Sequence, residues 1–413
     1  MSAPMNEPRK PMLTVRAALD HLLKAVRPVT DIEPIATLVA NGRVLAEAQA
    51  ATISVPSADN AQMDGYAVRA ADCASGDAVL KVTQRIPAGY VGAPLDAGTA
   101  ARIFTGAMIP EGADAVVMQE QCEAGDGVVT VRHMPRPGEW IRRTGEDIQN
   151  GATILAAGTR LRAQELGLAA SCGLATLPVL RRVRVAVFFT GDELTMPGEA
   201  PGGQLAPGAI YNSNRFTLRA LLENLGCEIT DYGIVPDTLD ATRATLRMAA
   251  QAHDLIVTSG GVSVGEEDHI KPAVEAEGRL NMWQIAVKPG KPLAFGEVNN
   301  AFFLGLPGNP VSSFVTFLLF VRPFILRLQG VKSAVEPRAY AMRADFDWPK
   351  GDRRNEFLRA HINADGGLEL FPSQGSGVLT STVWGDGLID NPPGQAIARG
   401  DMVRFISFAD LQH

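Results

Sequence analysis

At 413 residues the chain is longer than one ordinary hydrophobic core encloses, and roughly two to four domains are expected. Apolar residues make up 46% and charged residues 20%, a globular balance, and the formal charge of −7 leaves no basic footprint for nucleic acid. The four cysteines, Cys73, Cys122, Cys172 and Cys227, are far apart without a CxxC, and the six histidines show no ligand spacing. Neither a disulfide framework nor a zinc site is expected, and a reducing cytoplasm is the default location.

The first 15 residues, MSAPMNEPRKPMLTV, lack the apolar core of a signal peptide. Residues 14–26 carry Val15, Leu19, Leu22, Leu23 and Val26 at helical spacing and predict an amphipathic helix. From about 50 to 180 short β-prone pieces such as AVLKVTQRI and GVVTVRHM alternate with Gly/Pro turns, the texture of irregular β domains. Within it, MDGYAV (63–68) and RIFTGAMIPEGADAVV (102–117) read as turn and hairpin sequence. Residues 152–173 mix a strand-like start with a helical pattern ended by Gly173. The pairs Arg142-Arg143 and Arg181-Arg182 read as solvated faces.

From 183 the rhythm becomes α/β. VRVAVFF lacks polar alternation, as a parallel strand buried on both faces should. A leucine-rich helix follows at 214–225, closed by Gly226. Then come a strand at CEITDYGIV, a helix at 240–252 with Asp240 as N-cap, and the strand DLIVT at 254–258. AFFLGL leads through PGNP into an apolar run, 311–330. Arg322 and Pro323 interrupt that run too early for a membrane span, so a buried helix is expected and no membrane is. This alternation predicts a doubly wound parallel sheet. After about 331, RNEFLRAHI, LELFPS and MVRFISF alternate like exposed antiparallel strands of a small terminal β domain.

Ligands of a doubly wound sheet bind beyond the carboxyl ends of its strands. FFTGDEL, TSGGVSVGEEDH and GLPGNP all follow strands there. SGGVSVG (Ser259, Gly260, Gly261, Ser263, Gly265) is neither a Walker A loop nor a Rossmann fingerprint, because Glu266 stands where lysine is required. Its bare backbone suits an anion, and a tight strand-to-helix turn explains the same glycines. The carboxylates beside it suit a divalent cation bridging to phosphate, although Glu266 and Glu267 better fit a helix first turn. Asp192 and Glu193 add a second acidic point. Lys288 and Lys291 sit on the Pro/Gly-stiffened stretch AVKPGKP, and Lys271 follows the glycine motif.

MDGYAV, TGAMIPEGADAVV, GEDI (145–148), TGDEL, SGGVSVGEEDH, KPGKP and GLPGNPVS occur together in the order and spacing of the molybdopterin molybdenumtransferase (MoeA) family, and essentially the whole chain resembles it. The gephyrin E domain is similar. The resemblance implies a multidomain α/β plus β fold. A discontinuous N-terminal domain (1–56 and 146–180) would carry an inserted β-rich domain (57–145). A doubly wound, molybdopterin-binding-like α/β domain (181–330) and a C-terminal β-barrel (331–413) would follow. It implies a homodimer that takes adenylated molybdopterin and molybdate, uses Mg²⁺, and releases AMP and molybdenum cofactor. Molybdopterin adenylyltransferase and cofactor-accepting proteins are the further partners it implies.

The family's functional positions match Asp64, Thr105, Asp147, Glu193, Asp237, Asp268 and Lys288, with Glu193 and Asp268 on the metal. The glycine loop, Lys271, Lys291, Pro307, Pro310, Arg359 and Ser376 match on the substrate side. Gln284 departs from the pattern, since bacterial relatives carry lysine there. Either Lys288 and Lys291 suffice for the oxyanion, or its affinity is lower here. Two other readings stay open: a scaffold of the gephyrin type, which need not keep Asp64, Glu193 and Asp268 together, and an adenylyltransferase, which the N-terminal 180 residues and the barrel disfavour.

Overall fold

The structure is a computed structural model and describes residues 12–261 and 269–411. Helix α1 (Val15–Ala25) opens the fold. The Thr14 hydroxyl caps it by accepting from the Ala17 N–H at 3.1 Å, and Ala18, Leu19 and Leu22 form its buried stripe. Strand β1 (Ile32–Ala36) then waits for a partner far along the chain.

Six strands follow as one sheet: β2 (Gly65–Val68), β3 (Ala78–Ile86), β4 (Thr99–Ile103), β5 (Ala115–Met118), β6 (Cys122–Ala124) and β7 (Val128–Val131), in spatial order β5-β2-β4-β3-β7-β6. Two short pairings close its base, Asn60–Ala61 against Ile141–Arg142 and Val55 against Ile148. Helix α2 (Ala163–Ser171) and strand β8 (Thr176–Leu180) return the chain to β1, and β8 pairs antiparallel with it.

The second large sheet is built from β9 (Arg184–Thr190), β10 (Glu228–Val235), β11 (Leu255–Ser259), β12 (Gly278–Gln284), β13 (Pro292–Val298) and β14 (Ala301–Leu306), in the order β10-β9-β11-β14-β13-β12. Alternate residues of its central strands feed two cores. Val185, Val187, Phe189, Leu255, Val257 and Leu304 join the larger one, while Ala186, Phe188, Ile256 and Phe303 join the other. This is period two with both faces apolar, the pattern that gives no polar alternation in sequence. Helix α3 (Ser213–Asn224) covers the first face through Leu218, Leu221 and Leu222, and α4 (Leu239–Ala252) and α5 (Ile270–Glu277) cover the second.

Three details differ from the sequence reading. Only β10, β9, β11 and β14 run parallel; β13 and β12 are antiparallel additions. The turn after β13 has Asn299 at φ 53°, so a tight hairpin replaces a crossover. Helix α4 starts at Leu239, one residue early, because the Thr238 hydroxyl and not Asp240 caps it, accepting from the Ala241 N–H at 3.3 Å. Arg181 is no solvated residue: its guanidinium holds Asp254 at 2.7 and 2.8 Å and Asp31 at 2.7 Å, fastening the N-terminal segment to the sheet.

The apolar run is a continuous helix, Pro310–Leu328, 94% buried in the protein interior. It begins as α6 (Pro310–Thr316), widens into a π turn at Phe317–Val321 and resumes as α7 (Arg322–Leu328). Pro323 explains the widening, since it offers no N–H and its ring displaces the carbonyl of the preceding turn.

The C-terminal residues form a curled half-barrel sheet from β15 (Tyr340–Arg343), β16 (Asn355–Ile362), β17 (Leu368–Leu370), β18 (Gly387–Asn391) and β19 (Met402–Ser407). Val287 and Lys288 pair with the start of β16 and so stitch this sheet to the α/β region. Strand β16 is mostly buried, against the expectation of an exposed strand, because it lies between Val287-Lys288 and β18 with β17 added at its far end.

Candidate active site

The carboxyl ends of β9, β11 and β14 open into a cavity of about 810 Å³ at the junction of the α/β region and the half-barrel. Thr190, Gly191 and Glu193 line it from β9, Asp237 from the end of β10, Ser259, Gly260 and Gly261 from β11, and Pro307 to Pro310 from β14. The lysine loop contributes Lys288, Pro289, Gly290 and Lys291. The half-barrel closes the far wall with Arg354, Gln374, Gly375 and Ser376.

The loops hold one another in place. Asn214, in the first turn of α3, donates to the Ser259 hydroxyl at 2.9 Å and to the Gly308 carbonyl at 2.8 Å, and the Ser259 hydroxyl donates to the Pro307 carbonyl at 2.9 Å. The Val311 N–H, one of the unpaired donors at the start of α6, donates to the Ser376 carbonyl at 3.0 Å and pins the half-barrel loop. Gly260 has φ +100°, and a Cβ there would lie 2.9 Å from the Thr190 carbonyl oxygen. Only glycine lets these two strand ends approach so closely.

The lining offers donors for anions and carboxylates for a cation. Helices α3 and α6 both begin at the cavity, with Asn212 and Pro310 in its wall, so two positive helix ends converge there. Thr190 Oγ1 and Asn212 Nδ2 are buried without a protein partner. An orphaned buried polar atom costs about 1–3 kcal/mol unless something bonds it. Lys288 Nζ lies 3.1 Å from Glu356 and 3.3 Å from Asp352, and Arg354 pairs with Asp352 at 3.0 Å. The Arg354 hydrogen bonds hold the Asp352 carboxyl far below the usual carboxylate range.

The structure thus brings together Glu193, Asp237, Ser259, Gly260, Gly261, Lys288, Lys291, Pro307, Pro310 and Ser376 around one cavity. Ser263, Gly265 and Asp268 lie outside the described residues. Lys271 is exposed on α5, and Gln284 is exposed at the end of β12; neither lines the cavity. Arg359 does not line it either. It is 1% exposed, and its guanidinium donates to the Gly375 and Phe357 carbonyls and the Ser381 hydroxyl. Burial pushes the guanidinium down to about 10, and the bonds from Arg359 to Gln374 and Gly375 hold that loop from behind. Asn212, Asn214, Arg354 and Gln374 are cavity residues the sequence reading missed. The run YNSNRF, an Asn/Ser cluster opening a helix, carried a signal for the first two.

Asp64 and Thr105 meet elsewhere, beside the adjoining ends of the paired strands β2 and β4. Asp64 accepts from the Thr105 hydroxyl at 2.6 Å and its N–H at 2.8 Å, and these bonds hold the carboxyl below its ordinary value. Asp147 is exposed nearby in sequence to Arg143 and Thr144, which bind Asp59, so segments 59–64 and 141–147 are tied together.

Comparison with known proteins places this arrangement in a class. Residues 186–327 match a family model described as a probable molybdopterin binding domain, so the cavity-bearing region is of the molybdopterin-binding type. Residues 13–173 match the MoeA N-terminal region (domain I and II), and residues 341–408 the MoeA C-terminal region (domain IV). The chain belongs to the molybdopterin molybdenumtransferase family. It is 42% identical to a molybdopterin molybdenumtransferase of Haemophilus influenzae over 87% of this chain and 89% of that one. It is 36% identical to one of Nostoc sp. over 89% and 86%. A crystal structure of a molybdopterin biosynthesis MoeA protein from Pyrococcus horikoshii superposes with a TM-score of 0.83 at 29% identity, covering 96% of this chain and 100% of that one.

Proposed function

We propose that the chain is an enzyme that transfers molybdenum to molybdopterin, taking adenylated molybdopterin and molybdate and releasing AMP and molybdenum cofactor. The observation that carries this reading is the single cavity lined by glycine backbone, two helix N-termini, lysines and carboxylates together. Phosphates of the adenylated pterin lie against Gly260, Gly261 and the starts of α3 and α6, with Thr190 and Asn212 supplying their unpaired polar atoms. Molybdate lies toward Lys288, Lys291 and Ser376, while Arg359 positions the loop that carries Ser376. The four cysteines are free and none lines the cavity, in keeping with a substrate that brings its own thiolates.

Among the described residues no three His, Cys, Asp or Glu side chains gather as a metal cage. Mg²⁺ needs none, because it takes one or two carboxylates and completes its shell with phosphate oxygens and water. Glu193 and Asp237 on one rim fit that demand, and Asp268 is the further expected ligand. Bound there, Mg²⁺ would neutralise charge on the phosphate oxygens as the anhydride bond breaks. The protein's own groups orient the two substrates and exclude water between them. Asp64, Thr105 and Asp147 act in a homodimer, reaching the cavity of a second copy.

The test supplies adenylated molybdopterin, molybdate and Mg²⁺ to the purified chain. AMP release should appear together with cofactor able to reconstitute a molybdenum-free molybdoenzyme. Binding of both substrates without either product would leave a scaffold and defeat the proposal.

A further inference from the structure

Lys288 does not enter the cavity as a free ammonium. Its Nζ bonds to Glu356 Oε1 at 3.1 Å and pairs with Asp352 Oδ2 at 3.3 Å. An ammonium carries three N–H donors, and two carboxylates account for two of them. The third is left to the cavity, in a direction the carboxylates fix. Lys288 is thereby unlike Lys291, which stands exposed on the same loop and makes no ion pair among the described residues.

Glu356 is itself fixed. It is 1% exposed and does not line the cavity. Its Oε2 accepts three hydrogen bonds: from the Trp348 indole N–H at 3.0 Å, the Asp352 N–H at 3.0 Å and the Asn391 amide at 3.3 Å. Those donors leave Oε1 facing Lys288. A buried carboxylate is costly unless its partners are complete, and the one ammonium bonded to this one, Lys288, comes from the lysine loop of the α/β region.

We propose that Glu356 is the positioning residue for Lys288, aiming its remaining N–H at the oxyanion. This rests on the reading of the cavity as an oxyanion site. The chemistry gives a specific consequence for Glu356→Gln. The three donors on Oε2 require the carbonyl oxygen of the new amide there, which turns its NH₂ toward the Lys288 ammonium. Donor then faces donor, and Lys288 is displaced although the side-chain volume is unchanged.

Isothermal titration of the purified chain with molybdate alone provides the test, using wild type, Glu356→Gln, Lys288→Met and the double variant. Each single variant should weaken binding about tenfold, the loss of one charged hydrogen bond. The double variant should be no weaker than Lys288→Met, because Glu356 acts through Lys288. In turnover, Glu356→Gln should raise half-saturating molybdate while leaving the rate at saturation within about twofold. If Glu356→Gln does not fold, Trp348→Phe removes one Oε2 donor and should give a smaller loss that vanishes in the Lys288→Met background. Losses that add in the double variant, or unchanged molybdate binding in Glu356→Gln, would overturn the inference alone. Wild-type chain that binds no molybdate would overturn it together with the proposed function.

Discussion

Replacing Gly260 by alanine isolates what the glycine loop contributes. The backbone there has φ +100°, outside the region an L-residue adopts at low cost, and the new Cβ would stand 2.9 Å from the Thr190 carbonyl oxygen. The first effect costs about 1–3 kcal/mol. The second forces two strand ends apart, and overpacking of this kind costs about 1–3 kcal/mol. Gly208 supplies the control, since it has φ +86° and nothing within 4 Å of its Cβ. Gly208→Ala carries backbone strain without the contact. Urea unfolding followed by circular dichroism should therefore show Gly260→Ala less stable than Gly208→Ala by about 2 kcal/mol. Because the Thr190 and Gly260 ends both line the cavity, substrate affinity should fall in Gly260→Ala and hold in Gly208→Ala. Equal destabilisation by the two variants would refute the close approach of the strand ends as the reason for the glycine.

Two other outcomes follow from named contacts. Burial alone would raise the Asp254 carboxyl, but the Arg181 hydrogen bonds and the Arg184 N–H outweigh it and hold it below its ordinary value. A carboxyl depressed in the folded state stabilises above its unfolded value of about 3.9 and loses that contribution as pH falls through the folded one. Asp254→Asn should be less stable by about 2 kcal/mol at pH 7, with the gap closing below about pH 4; a gap constant across urea titrations from pH 7 to 3 would contradict this. If Asp64 serves the cavity of a second copy, chains carrying Asp64→Ala and Glu193→Ala, each inactive alone, should recover about a quarter of wild-type activity when mixed dimers form at random. No recovery in a sample shown to contain mixed dimers would place Asp64 and Glu193 at the same chain's site.

The sequence carried the parts of this molecule that repeat locally. β9 and β11 were readable because residues such as Val187, Phe188 and Ile256 are apolar on both faces, and α3 because its leucines recur at helical spacing. The stretch PLAFGEV is not legible as β13 in sequence, since it follows immediately on the Pro/Gly loop of Lys288 and Lys291. The cavity wall was legible where motifs follow strands, as at Glu193, Gly260 and Pro307. It was illegible where the wall is assembled from distant chain. Asn214 meets Gly308 across 94 residues, and Lys288 meets Glu356 across 68, and no local pattern announces either contact. Arg359 shows the converse: the resemblance named the residue, but only burial reveals that its guanidinium faces the loop from behind.

The pairing of β1 with β8 joins Ile32 to Leu180, with the whole inserted sheet between them. A ribosome adding about 5–20 residues per second leaves β1 without its partner for roughly 7 to 30 seconds after it emerges. During that wait the inserted sheet, whose last strand ends at Val131, is already complete and free to fold. The first strand of the protein is thus secured only after the whole inserted sheet has been made, and Ile35 and Leu45, which end up with Leu177 and Val179, stay without that cover until then. Synthesis pauses between residues 131 and 180 would prolong the time β1 waits unpaired.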